Sequence, residues 1–225
     1  MLDAAPLKLL LKKEGAALVG IGDISKALPR EIRHLDRGVA IAVDQGLNRG
    51  SIDILCGLQR YAEDWLRDRG FRNLSIPPDS DRRTGKLITK LYKLFCHKTA
   101  ATCSGLGWIG KNGLIINSRY GSQLSWATVL TDAPLKTDKA VTGSECGECE
   151  LCVKHCPSGA LKGDNWSLSD PLRQMVNYDR CKALKNNRQR FAEKPNCGLC
   201  VTICPYSRKG RKKSIKQKID LPSFP

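Results

Sequence analysis

The chain has no apolar stretch that approaches the roughly 18 consecutive residues needed to cross a membrane as a helix. Its N-terminus carries an acid at Asp3 and lacks the basic, apolar and small-residue order of a secretory signal; it also has no twin arginine. Acidic side chains are scarce, 22 against 38 basic ones in 225 residues, which leaves a net charge of +16. We therefore expect a cytoplasmic protein. The charge favours either an anionic partner or a solvated basic surface.

The order of apolar patterns predicts a mixed fold, either α/β or α+β. Helical spacing of apolar residues predicts three helices, over residues 6–14, 52–69 and 85–103. Short apolar runs predict four strands, over residues 16–21, 39–43, 114–117 and 124–130. Composition then divides the chain into an α/β domain over 1–140, a cysteine-rich module over 141–207 and a basic tail over 208–225.

Seven of the eleven cysteines fall in two close groups. The first reads C-x2-C-x2-C-x3-C-P from Cys146, the run of bacterial ferredoxins, in which the fourth cysteine reaches across to a second cluster. The second reads C-x2-C-x3-C-P from Cys197 and is one cysteine short, which Cys181 supplies. The eight cysteines predict two [4Fe–4S] clusters. We assign one to Cys146, Cys149, Cys152 and Cys204, and the other to Cys156, Cys181, Cys197 and Cys200.

Three other uses of these cysteines compete with the cluster interpretation. Disulfides are disfavoured by the expected cytoplasmic location. A zinc site would use pairs of C-x-x-C rather than three evenly stepped cysteines before a Cys-Pro. Ordinary buried thiols do not occur at such regular spacings. By contrast, Cys56, Cys96 and Cys103 each stand alone in a predicted helix and are interpreted as buried spectators.

A glycine-rich segment precedes the cysteines and matches G-x-G-x-x-G from Gly105 to Gly110. The dinucleotide fingerprint must follow a strand and open a helix, whereas this segment follows a predicted helix and leads into a strand. Nucleotide binding is therefore disfavoured. Two interpretations stay open: a tight structural turn, or backbone that approaches some other flat or charged ligand.

The stretch from His97, with its motifs GLGWIGKN, YGS and TDAPL followed by the eight-cysteine set, resembles the epoxyqueuosine reductase family and the related reductive dehalogenases. The resemblance covers roughly residues 80–207. It implies a nitroreductase-like domain that cradles a base-off cobalamin, followed by a two-cluster ferredoxin-like module. The clusters would pass electrons from a low-potential donor such as ferredoxin or flavodoxin to cobalt. The residues that match the family's corrinoid-side motif are Gly105, Gly107, Trp108, Gly110, Lys111, Asn112, Tyr120, Gly121 and Ser122.

The chain departs from this family in one catalytic feature. Epoxyqueuosine reductases carry an Asp in a D-[ST]-x-P-type segment, and the corresponding stretch here, from Leu91 to Leu94, has no carboxylate. The pair His97-Lys98 is the alternative: His97 as a proton donor near neutral pH and Lys98 as a holder of a phosphate or propionamide. Tyr92 is a further candidate donor. The alternative function is a non-catalytic corrinoid-binding or electron-transfer protein, and the basic tail is a candidate contact for tRNA or another anion.

Overall fold

The computed structural model describes residues 1–46, 48–78, 95–170, 174–191 and 197–207, with the backbone alone over 186–191. These residues form two compact units. The first contains Met1–Gly107 and Leu124–Val141, and the second contains Trp108–Gln123 and the chain from Thr142 onward. The predicted boundary near residue 140 differs from this division because residues 108–123 pack with the cysteine-rich part. No described helix is long and apolar enough to span a membrane.

The described residues contain both helices and strands, so the mixed fold is confirmed. The helices are α1 (Ala5–Lys13), α2 (Arg49–Arg67), α3 (His97–Cys103), α4 (Leu151–Lys154), α5 (Tyr178–Phe191) and α6 (Leu199–Thr202). Two 3-10 turns cover Ser25–Ala27 and Arg30–Ile32. The strands are β1 (Leu18–Asp23), β2 (Arg37–Val43), β3 (Asn73–Ile76), β4 (Trp108–Ile109), β5 (Ile115–Ile116) and β6 (Ser125–Thr131).

The first unit is built on a four-stranded antiparallel sheet in the order β1-β2-β6-β3. Both faces of this sheet are covered. Val39, Ile41 and Val43 of β2 pack in one core cluster with the apolar sides of α1 and α2. Ala40, between them in sequence, lies in a second cluster with Ile24 and residues of α3. Alternate side chains of a strand point to opposite faces, so β2 reads as an unbroken apolar run because it is buried on both.

Helix α2 begins three residues before the predicted start because of a polar cap. The Asn48 side chain accepts a hydrogen bond from the Ser51 backbone N–H at 2.9 Å, and the Ser51 hydroxyl accepts one from the Asn48 backbone N–H at 2.9 Å. This reciprocal pair satisfies two N–H groups that a helix start otherwise leaves without partners. The apolar stripe that follows, with Leu55, Leu58 and Leu66 all buried, packs on the sheet.

One buried polar side chain of α2 forms a hydrogen bond to the edge strand β3. Gln59 is 4% exposed, and its Nε2 donates to the carbonyls of Ile76 and Thr128, each at 2.9 Å. Replacing Gln59 with leucine removes the hydrogen-bond donor to both carbonyls, so we expect the free energy of unfolding to fall by about 2 kcal/mol. Chemical denaturation measures it. Leucine at Arg60, the exposed neighbour on the same helix, is the control and should change stability by less than about 0.5 kcal/mol. Equal effects of the two substitutions would contradict this role.

The predicted helix over 85–103 is wrong at Cys96, where the backbone is extended with φ −111° and ψ 131°. The helix in the described residues therefore begins at His97. The change of direction lets Phe95, 3% exposed, enter the core on the α3 face of the sheet. The remainder of that predicted helix lies outside the described residues. The strand predicted over 114–117 is shorter than expected, since only Ile115–Ile116 pairs, with β4.

Candidate metal centre

One cavity in the second unit is lined by four cysteine thiols. It has a volume of about 330 Å³, including open solvent at its mouth. Cys146 and Cys149 come from the loop before α4, Cys152 from α4 itself and Cys204 from the segment after α6. These four are the predicted ligands of the first cluster, so the fold brings together cysteines that are more than fifty residues apart in sequence.

The thiols that lie near Cys152 and near Cys200 fall into the same two groups as the predicted cluster ligands. Burial first, and then the nearby thiols of Cys146, Cys200, Cys204 and Cys149, raise the pKa of Cys152 to about 11. A half-buried thiol so close to other thiols resists ionisation unless positive charge, such as cluster iron, offsets the thiolates. The three partners predicted for Cys152 are thus all beside it, and Cys200 of the other set is also near.

The pKa of Cys200 is likewise raised, first by burial and then by the thiols of Cys181, Cys197 and Cys156. These three are the ligands predicted to share the second cluster with Cys200. Cys181, which lies outside both obvious motifs, is brought to this group by α5. The two sets of four therefore meet at Cys200, which neighbours both.

Cys156 has a different environment. Burial alone would raise its pKa, but hydrogen bonds from the Ser158 hydroxyl and the Ala160 backbone N–H outweigh that and lower it. Both donors lie 3.4 Å from its Sγ. Donors aimed at a ligating sulfur are typical of iron–sulfur sites and stabilise the thiolate. No disulfide joins any of the described cysteines. Among the described residues, no three His, Cys, Asp or Glu side chains are close enough to hold a single metal ion.

The glycine-rich segment forms a tight hairpin at its C-terminal end. Trp108 pairs with Ile116 and Ile109 with Ile115, and the loop closes with a 2.9 Å bond from Gly110 N–H to the Leu114 carbonyl. At the N-terminal end, in the first unit, a Cβ at Gly105 would overlap the Lys139 carbonyl, and its φ of +72° also favours glycine. These glycines therefore form tight turns, and their contact with a cofactor stays a prediction.

The YGS turn contacts the end of the cysteine-rich segment. Ser207 is fully buried, and its Oγ accepts from the Ser122 backbone N–H at 3.2 Å and lies 2.8 Å from the Ser122 hydroxyl. Gly121 has a φ of +68°, and a Cβ there would lie 2.7 Å from the Ser207 backbone nitrogen. Tyr120 comes just before this contact, and its ring faces the Arg119 guanidinium at 5.1 Å. The turn therefore fixes the chain three residues after Cys204.

Two other motif residues reach the same segment. The Trp108 and Tyr206 rings meet edge to face with centroids 5.0 Å apart. Asn112 lines the four-cysteine cavity and donates from Nδ2 to the Cys200 carbonyl at 3.2 Å. The family resemblance implies a corrinoid-side role for Trp108 and Asn112, but it does not predict the contacts of Tyr206 and Ser207. The one available signal was the Cys-Pro-Tyr-Ser run that ends the second motif.

His97 lies in the first unit at the start of α3. Its Nε2 lies 3.0 Å from the Pro77 carbonyl and its Nδ1 lies 2.9 Å from the Thr128 hydroxyl. A carbonyl oxygen only accepts, so Nε2 carries a proton, whereas the Thr128 hydroxyl beside Nδ1 can donate or accept. Lys98 follows it and is half-buried. Tyr92 and the basic tail lie outside the described residues. The assignment of His97, Lys98 and Tyr92 to catalysis stays a prediction.

Residues 145–207 match the family model of the 4Fe-4S double cluster binding domain. The chain is 32% identical to an epoxyqueuosine reductase of Prochlorococcus marinus over 201 residues, which is 80% of this chain and 61% of that protein. It is 41% identical to the epoxyqueuosine reductase of Pseudomonas aeruginosa over 124 residues, 51% of this chain and 32% of that protein. The chain thus spans less than two thirds of the length of these relatives.

Solved structures show the same fold. An epoxyqueuosine reductase with an epoxyqueuosine-modified tRNA stem loop superimposes with a TM-score of 0.64 at 20% identity, over 91% of this chain and 65% of that one. A reductive dehalogenase whose structure suggests a mechanism for B12-dependent dehalogenation gives 0.64 at 18% identity, over 97% of this chain and 34% of that one. The chain is therefore similar to epoxyqueuosine reductases, and its residues 145–207 match a 4Fe-4S double cluster binding domain.

Proposed function

We propose that this chain is an iron–sulfur oxidoreductase that passes electrons through two [4Fe–4S] clusters to a bound cobalamin, which reduces a substrate. The observation that carries the proposal is the contact between the two motifs: the hairpin with Trp108 and Asn112 packs on the segment that supplies Cys200 and Cys204. Clusters bound by these cysteines would therefore lie next to the motif that matches the corrinoid side of the family. A low-potential ferredoxin or flavodoxin would supply them.

Two motif side chains have donors that fit a large polar group. Lys111 is 4% exposed and belongs to the motif that the resemblance assigns to the corrinoid side. The buried indole N–H of Trp108 has no acceptor in the described part of the chain. A buried donor without a partner is costly, so a bound group with amide or phosphate oxygens would relieve the Trp108 indole N–H. Cobalamin carries several side-chain amides and one phosphodiester, and it would supply redox-active cobalt.

The substrate we propose is an epoxyqueuosine-containing tRNA, by analogy with the relatives' names. The basic run over 208–218 would add phosphate contacts. His97 is the proposed proton donor, with the Nε2 proton now shared with the Pro77 carbonyl, and Lys98 would hold an anionic part of the substrate or cofactor. Tyr92 is the further candidate donor. Because Leu91–Leu94 contains no carboxylate, the second candidate is a protein that binds a corrinoid or transfers electrons without turnover.

Cobalamin binding tests the proposal directly. Titration of the anaerobically reconstituted chain, followed by visible spectroscopy, should give saturable binding. Lys111→Met should weaken that binding about tenfold or more, because a buried hydrogen bond from a charged donor is lost. Lys162→Met is the matched control, an exposed lysine of the same unit whose Nζ donates to the Gln174 side chain at 3.3 Å.

Absence of any corrinoid binding would contradict the proposal. Binding without cobalamin-dependent reduction of epoxyqueuosine-containing tRNA or small electrophiles would instead select the non-catalytic alternative.

A further inference from the structure

Asn112 lies where the two sets of cysteines meet. Its side chain lines the cavity of Cys146, Cys149, Cys152 and Cys204, and its Nδ2 donates to the carbonyl of Cys200, a ligand assigned to the other cluster. Cys200 is also near Cys152, across the division between the sets. Asn112 is thus the polar residue of the hairpin that touches both groups.

The amide of Asn112 is held at both ends. Its Oδ1 accepts from the Leu114 backbone N–H at 3.2 Å while Nδ2 donates to Cys200, and the residue is 5% exposed. The hairpin loop beneath it is closed by the 2.7 Å bond from Gly113 N–H to the Gly110 carbonyl. A buried, fixed amide cannot turn to follow a change of charge, so it acts as a permanent dipole at the cluster site.

We propose that Asn112 is a positioning residue for the two clusters, which fixes the Cys200 peptide and sets the cluster reduction potentials. Reduction potentials of iron–sulfur clusters depend on the local charge, hydrogen bonds and solvent exposure. A neutral amide in this position holds the Cys200 main chain without adding negative charge beside thiolate ligands. The inference rests on the two clusters and not on the bound cobalamin or on turnover.

The test is an anaerobic redox titration followed by EPR of the reduced clusters. Asn112→Asp keeps the shape, adds a buried negative charge and removes the donor to Cys200. Extra negative charge opposes addition of an electron, so the equilibrium constant for reduction of at least one cluster should fall about tenfold or more, which is about 59 mV. Asn112→Leu removes the hydrogen bond without adding charge and should give a smaller shift with a changed EPR line shape.

Asn165→Asp is the matched control. Asn165 is exposed and donates the same type of bond, from Nδ2 to the Gly147 carbonyl at 3.3 Å, also beside a cluster cysteine. Water screens a carboxylate there, so the equilibrium constant should change by less than about twofold.

Iron and sulfide content are measured first in every variant. If Asn112→Asp retains wild-type iron and wild-type potentials, the proposal is overturned. If that variant loses iron, the redox titration and EPR are done on Asn112→Leu instead. Wild-type potentials and a wild-type EPR line shape in Asn112→Leu would then overturn the proposal. A wild-type chain that binds no clusters overturns it as well, together with the cluster assignment, whereas failure to bind cobalamin leaves these potentials to be measured unchanged.

Discussion

Serine in place of Cys204 should remove one cluster and leave the other, so that iron falls from about eight to about four atoms per chain. Cys204 is 7% exposed and lines the cavity with Cys146, Cys149 and Cys152. A serine hydroxyl is a far weaker iron ligand than a thiolate, and no fifth cysteine of the described residues lines this cavity. Iron and acid-labile sulfide analysis after anaerobic reconstitution measures the loss, and EPR of the reduced protein identifies the remaining signal.

The matching substitution, Cys181→Ser, should remove the other cluster and leave a different EPR signal from that of the Cys204 variant. Cys181 is the ligand recruited from outside the two obvious motifs, and it is a neighbour of Cys200. Cys56→Ser, in α2 of the first unit, is the control and should retain all of the iron. If the Cys204 and Cys181 variants leave the same EPR signal, the interleaved assignment of ligands is wrong.

Alanine in place of Gly121 should cost about 3 kcal/mol of stability, from backbone strain and steric overlap together. Its φ of +68° disfavours any side chain, and the added Cβ would lie 2.7 Å from the backbone nitrogen of Ser207, which is fully buried. Ser207 follows Cys204 closely, so movement there disturbs a cluster ligand. For a chain of this size the thermal midpoint should fall by about 10 °C, with earlier loss of cluster absorbance.

Gly159→Ala separates strain from overlap. Gly159 has a φ of +57°, but among the described residues nothing beyond its own chain neighbours lies within 4 Å of the position that an added Cβ would take. Only the strain of the left-handed backbone applies there, about 1 kcal/mol. Thermal unfolding under anaerobic conditions should therefore affect Gly121→Ala much more than Gly159→Ala. Equal shifts in the two variants would contradict the account of the YGS turn as a fixed contact to Ser207.

Much of the first unit could be predicted because apolar periodicity reports burial. The predicted helices over 6–14 and 52–69 and the strands over 16–21, 39–43 and 124–130 are confirmed within a few residues. Strand β3 was not predicted: Asn73–Ile76 is short, and its position is set by pairing with β6 and by the Gln59 amide. Helix α5 was also not predicted, because its sequence is polar almost throughout and lacks an apolar stripe.

The spacing of the cysteines predicts which of them bind the clusters but not which residues pack around them. Spacing alone selects Cys146, Cys149 and Cys152, since ferredoxin ligands step along the chain at fixed intervals. Spacing contains no information on which distant loop covers the ligands. The contacts of Asn112 with Cys200 and of Ser122 with Ser207 join residues more than eighty positions apart, and only the fold brings them together.

The most direct test of the central claim is metal and sulfide analysis of the anaerobically purified chain, with EPR after reduction. The account predicts about eight iron and eight sulfide per chain, with the spectrum of two interacting [4Fe–4S] clusters, because the two cysteine sets meet at Cys200. Zinc in place of iron, or four iron atoms with a single uncoupled signal, would contradict it.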